Sequence, residues 1–118
     1  HYTTAYDLYL IYNEAMKEPE FRKIVGTPSY YAEYVDQAGE TVTQTWKMGN
    51  QFLTGDRETP EGVTVTGGKT GTTSAAGYCL IISSQADSGE EYISVVLKAD
   101  SRPALYDNMT NLVNKIVN

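Results

Sequence analysis

A chain of 118 residues has room for one domain, and a domain of this size buries about two thirds of the surface its unfolded form exposes. Nine Lys and Arg stand against fifteen Asp and Glu, a formal net charge of -6, which argues against nucleic acid or anionic lipid as a partner. A hydrophobic content of 41% is too high for a disordered chain, so a real core is expected.

In chain order, Thr4 followed by Asp7 reads as a helix cap, and Ala5, Leu8, Tyr9, Tyr12, Ala15 and Met16 then recur along one helical face. This predicts a helix from Thr4 to Glu18. Pro19 restricts the residue before it and breaks the helix, after which Phe21, Ile24 and Val25 suggest a short second piece ended by Gly26 and Pro28. From Ser29 the period changes, and "SYYAEYVD", "QAGE" and "TVTQTWK" read as a hairpin around Gly39. Its aromatics, Tyr30, Tyr31, Tyr34 and Trp46, fit cross-strand packing better than a ligand platform.

Residues 50–62 carry Gly55, Asp56, Pro60 and Gly62 and read as a loop, followed by a strand from Val63 to Thr70. Two further strands, Gly77 to Ser84 and Tyr92 to Ala99, flank the polar loop "SQADSGEE". Both are apolar at consecutive positions, which predicts cover on both faces. The acidic run from Asp87 to Glu91 reads as a solvated loop tip and not as a metal site. At the end of the chain Ser101 can cap and Pro103 fits a first turn, while Leu105, Met109, Leu112, Val113, Ile116 and Val117 form an apolar stripe. The expected fold is α+β, a single domain over residues 1–118 in which an N-terminal helix and a C-terminal amphipathic helix pack on an antiparallel sheet.

Single residues exclude further chemistry. Cys79 is the sole cysteine, so neither an internal disulfide nor a Cys/His zinc cluster can form, and in its apolar run it reads as a small buried hydrophobe. The one histidine, His1, is terminal and a poor catalytic base. No cofactor is implied. No stretch reaches the roughly 18 apolar residues of a membrane span. No signal-peptide pattern opens the chain, so for an exported protein the targeting sequence is expected outside these residues.

The densest signal is "VTVTGGKTGTTSAAGYCLII", Val63 to Ile82, with Lys69 between glycines and small hydroxyl residues. A phosphate-binding loop fails on spacing, because five residues before Gly68 stands Val63 and Gly62 is one position too early. Its context fails as well, since the motif follows a strand and Gly71 and Gly77 weaken any helix after it. A lone strand lysine is ordinarily a solvated or edge-protecting residue. Here Lys69, Thr70 and Gly71 form a Lys-Thr-Gly triplet, one of three marks of the penicillin-interacting serine enzymes. With "SAAGYCLI" and "YISVVL" after it and "TTAYDLYLIYNEAM" far ahead of it, the sequence resembles the C-terminal part of D-alanyl-D-alanine carboxypeptidases, the low-molecular-mass penicillin-binding proteins.

The resemblance runs from Thr3 to about Val117 and implies a partial fold of the serine β-lactamase and penicillin-binding protein group. It also implies acyl transfer on peptidoglycan stem peptides ending in D-Ala-D-Ala, reactivity with β-lactams, and a location outside the cytoplasm at the cell envelope. A terminal carboxylate calls for a fixed cation and hydroxyl donors, which Lys69, Thr70 and Thr72 can supply. Gly71 would let a substrate backbone approach the strand, whose edge could take the peptide as an added strand. In the resembled enzymes the backbone amide at the position of Thr72 also belongs to the oxyanion hole. Thr73 reads equally as a strand former or a site residue.

The other two marks are absent. No serine precedes a lysine by three residues, and Thr66, which does precede Lys69 by three, lies on the strand entering the motif. The tripeptide Tyr106 to Asn108 follows the Lys-Thr-Gly strand instead of preceding it and reads as helix surface. The chain is therefore expected to be a segment of a carboxypeptidase, inactive alone, that relies on a missing N-terminal part of the same protein. Apolar surface left bare by that part would favour dimerisation or exchange of elements. A β-lactamase segment is the alternative within the same fold, and a non-catalytic peptidoglycan- or β-lactam-binding module is the alternative outside catalysis.

Overall fold

Thr4 is extended, and its hydroxyl oxygen accepts the Asp7 N–H at 3.0 Å, which starts helix α1 (Ala5–Ala15). The computed structural model describes residues 1–117. Helix α1 stops three residues short of the expected Glu18. Pro19 holds Glu18 extended, at φ -88° and ψ 119°, so residues 16–18 tighten into a turn before α2 (Pro19–Val25) begins with proline in its first turn.

The expected hairpin forms as β1 (Ser29–Val35) and β2 (Thr41–Lys47), antiparallel with Tyr30 opposite Trp46. Asp36 sets its turn, one carboxylate oxygen accepting the Ala38 and Glu40 N–H groups at 2.9 and 3.0 Å, while Gly39 supplies the positive φ of 81°. Trp46 stacks on Tyr30 and Tyr34 at centroid distances of 6.4 and 6.3 Å, and Ala32 beneath them is buried. This two-stranded sheet stands apart from the main one. The radius of gyration, 15.8 Å, exceeds the roughly 13.5 Å of a compact chain of this length, as a projecting hairpin requires.

The segment read as loop hides one helical turn, α3 (Gln51–Thr54), capped by Asn50, whose Oδ1 accepts the Phe52 N–H, and ended by Gly55 at φ 84°. A single turn is too short to show a period, which is why the sequence does not reveal it. The main sheet then runs β3 (Val63–Thr73), β4 (Gly77–Ala86) and β5 (Glu91–Ala99) in that order, all antiparallel, and α4 (Arg102–Val117) closes the described chain. Ser101 caps α4 through its hydroxyl, which accepts the Ala104 N–H at 3.1 Å. None of the described helices is long and apolar enough to cross a membrane.

Consecutive apolar residues on β4 do serve two faces. Leu80 and Ile82 pack with Val63, Val65, Phe52 and the α4 residues Leu105, Tyr106, Met109 and Val113. Ile81 and Ile93 meet Tyr12, Met16, Phe21 and Val25 on the opposite side. Each such side chain, fully buried, contributes about 1.5–3 kcal/mol. Three details differ from expectation. Leu112 and Val117, placed on the stripe of α4, are at the surface, whereas Tyr106, read as surface, is 1% exposed. Cys79 is only half-buried, with its thiol donating to the Ala76 carbonyl at 3.5 Å.

A chain of hydroxyls joins α1 to the sheet. Thr66 donates to Ser83 at 3.1 Å, and Ser83 shares a 3.0 Å hydrogen bond with Tyr12. Burial pushes the Tyr12 phenol above its ordinary pKa, more than the Ser83 bond and the Arg22 charge lower it.

Candidate functional site on the open edge of the sheet

Strand β3 pairs with β4 on one side only, so its other edge is open among the described residues. One irregularity decides what that edge presents. Val63 and Val65 face α4, but the register slips between Val65 and Gly67, a bulge at Thr66 that moves every later residue to the other face. Lys69 therefore stands opposite Ile81 on the α1 face, and Thr70 stands opposite Leu80 on the α4 face. Without that extra residue Lys69 would point at α4.

The four residues singled out in the sequence lie together on the edge but not on one face. Lys69 and Gly71 share the α1 face, and Thr70 and Thr72 share the α4 face, where both line a cleft of about 170 Å³ with Gly49, Tyr78, Arg102 and Tyr106. Thr72 also borders a second opening of about 380 Å³ lined by Thr73, Ser74 and Lys98. The exposed Lys69 ammonium wraps the edge and donates to the Thr70 carbonyl oxygen. In an extended strand one residue's N–H and C=O point to the same side, and the residue two along repeats that direction. The Thr72 N–H thus faces the open edge beside the lysine.

The three glycines of "GGKTG" have different physical reasons. A methyl on Gly67 would come within 2.9–3.1 Å of Val25, including its backbone, and one on Gly68 would lie 2.5 Å from the Ile81 carbonyl oxygen and 2.8 Å from Asn50. These two permit close packing. A methyl on Gly71 would meet nothing beyond its chain neighbours within 4 Å, and its φ is not positive, so neither the fold nor the backbone needs glycine there. Space at that position is free for something outside the chain.

Sequence reasoning missed Arg102 and Tyr106. Arg102 stands between a capping serine and a first-turn proline, with no sequence signal of its own, yet it brings a second cation to the cleft of Thr70 and Thr72. Neither Lys69 nor Arg102 makes an ion pair among the described residues; the four pairs there join Lys17 to Glu14, Arg22 to Glu91, Lys47 to Asp56 and Arg57 to Asp107. Two uncompensated cations about an open edge suit an anionic ligand. Elsewhere, the Lys47 ammonium beside Asp56 holds that carboxyl below its usual range, and the Glu90 carboxylate beside Tyr92 raises that phenol.

Comparison with known proteins gives the geometry its context. A family model described as D-alanyl-D-alanine carboxypeptidase matches residues 1–101. A D-alanyl-D-alanine carboxypeptidase of Streptomyces sp. strain K15 is 33% identical over 115 residues, 97% of this chain and 37% of that protein. A solved mutant of the Streptomyces K15 DD-transpeptidase superposes with a TM-score of 0.82 at 36% identity, over 97% of this chain and 42% of that one. A D-alanyl-D-alanine carboxypeptidase of Mycobacterium tuberculosis gives a TM-score of 0.71 at 25% identity, covering 95% and 39%. The chain thus spans little more than a third of the length of the curated relative it matches.

Proposed function

The chain belongs to the D-alanyl-D-alanine carboxypeptidase family, and on that premise we propose that it forms one wall of a serine-type acyl-transfer site whose nucleophile lies outside these 118 residues. The substrate is a peptidoglycan stem peptide ending in D-Ala-D-Ala, and β-lactams occupy the same site. One observation carries the reading: a free strand edge on which Lys69 reaches the Thr70 carbonyl and the Thr72 N–H points outward two residues on.

The peptide lies along β3 as an added strand, passing over the space left by Gly71. Its terminal carboxylate is held by the Lys69 ammonium and the Thr70 hydroxyl, with Arg102 as a second cation across the cleft. A serine oxygen from elsewhere in the protein attacks the penultimate carbonyl carbon. The oxyanion that forms is stabilised by the Thr72 N–H, where loss of one donor typically costs about 100-fold or more. The C–N bond then breaks, the terminal D-Ala leaves with the serine proton on its amine, and water hydrolyses the acyl ester. Such work is done at the cell envelope outside the cytoplasm, where the substrate is.

Two expected results follow. Fluorescent penicillin labels the full-length gene product covalently and leaves the 118-residue chain unlabelled; a labelled short chain would place the nucleophile within it, and an unlabelled full-length product would sink the reaction. Helix α1 leaves Tyr6, Leu10 and Ile11 exposed at 67, 45 and 65%, an apolar face that the rest of the protein is proposed to cover. In sedimentation the isolated chain accordingly self-associates with rising concentration, and a single monomeric species throughout would count against that cover.

A further inference from the structure

Tyr106 is 1% exposed, and both functions of its hydroxyl are engaged: it donates to the Gly49 carbonyl at 2.9 Å and accepts the Gln51 N–H at 3.2 Å. A helix residue far along the sequence thereby clamps the turn that leads into α3. That turn is pressed on β3. A methyl on Gly49 would lie 2.9 Å from Thr70 Oγ1, so the Gly49 backbone forms the wall behind the Thr70 hydroxyl. Thr70 itself makes no side-chain hydrogen bond among the described residues, which leaves its orientation to that wall.

Resting on the acyl-transfer reading above, we infer that Tyr106 is a positioning residue: its hydroxyl fixes the turn at Gly49 to Gln51 and so aims the Thr70 hydroxyl at the substrate carboxylate. The ring has a separate role. It packs on Phe52 at 5.4 Å between centroids and lies under the Arg57 guanidinium at 5.6 Å, contacts that do not involve the hydroxyl. Removing only the oxygen therefore isolates the clamp.

The test measures the rate of acylation by a fluorescent penicillin in the full-length protein, together with the amount labelled at completion. Tyr106→Phe is expected to slow acylation about 10-fold, the size of one well-placed charge-assisted bond, with the final amount of label unchanged. A merely structural role would lower the labelled amount and leave the rate. Thr70→Val is expected to give a similar loss, and the double variant to be no slower than Thr70→Val alone, because both act on one hydroxyl. Should Tyr106→Phe fail to fold, Gly49→Ala pushes on Thr70 Oγ1 without touching the ring and is expected to slow acylation about as much. Wild-type rates in Tyr106→Phe or, for a variant that folds poorly, in Gly49→Ala would overturn the inference, as would losses that multiply in the double variant; all leave the labelling itself intact. A wild-type protein that takes up no penicillin would instead remove the reaction, and the inference with it.

Discussion

Replacing Lys69 by methionine in the full-length protein is expected to slow acylation by benzylpenicillin about 10- to 150-fold while shifting the melting temperature by no more than about 3 °C. The kinetic figure follows from one charge-assisted bond to the ligand carboxylate, worth about 1.5–3 kcal/mol, at roughly 1.4 kcal/mol per tenfold in rate. The stability figure follows from the fold. Lys69 is exposed, has no ion pair among the described residues, and the one hydrogen bond of its side chain there is to the neighbouring Thr70 carbonyl. Methionine keeps most of the side chain's length and removes only the charge. Stopped-flow acylation set beside a thermal melt separates the two quantities, and a variant that acylates at the wild-type rate would show that the ligand carboxylate is not held by this lysine.

The elements were legible wherever a period or a cap had room to repeat. Thr4, the turn at Gly39, the two-faced apolar run on β4 and the Ser101 cap each stand in the structure as the sequence implies. The limits of elements were less so: Gly71 weakens the pattern of β3, which nevertheless continues to Thr73 because its partner strand pairs with it that far. The candidate site was legible as a triplet but not as a surface. Nothing in "VTVTGG" announces the bulge at Thr66, and without it the faces taken by Lys69 and Thr70 would be exchanged. Tyr106 was obscured by its neighbours, since Asp107 and Asn108 are exposed and drew the tripeptide to the surface. Its position three before Met109 and seven before Val113 is the spacing of the buried stripe, the one signal that could have found it.

The glycines permit the second large prediction, in which two substitutions of identical chemistry, three residues apart, give opposite outcomes. Gly68→Ala drives a methyl to 2.5 Å from the Ile81 carbonyl oxygen, 2.8 Å from Asn50 and 3.0 Å from Ile82. The first is backbone of the paired strand, and Asn50 and Ile82 are both fully buried, so none can yield cheaply. Overpacking of this kind costs about 3 kcal/mol, and at about 4 °C per kcal/mol for a chain of this length the melting temperature should fall by roughly 12 °C. Gly71→Ala meets nothing within 4 Å and needs no unusual backbone angle, so stability should stay within about 0.5 kcal/mol of wild type. If β3 receives a peptide strand across that space, the same methyl displaces the ligand by about its own radius and acylation should fall about 100-fold. Differential scanning calorimetry of the 118-residue chain and acylation kinetics of the full-length protein, each carrying one or the other substitution, read out the contrast. An unaltered acylation rate in Gly71→Ala would mean that the ligand does not cross β3 at this point, because an unoccupied space cannot be blocked.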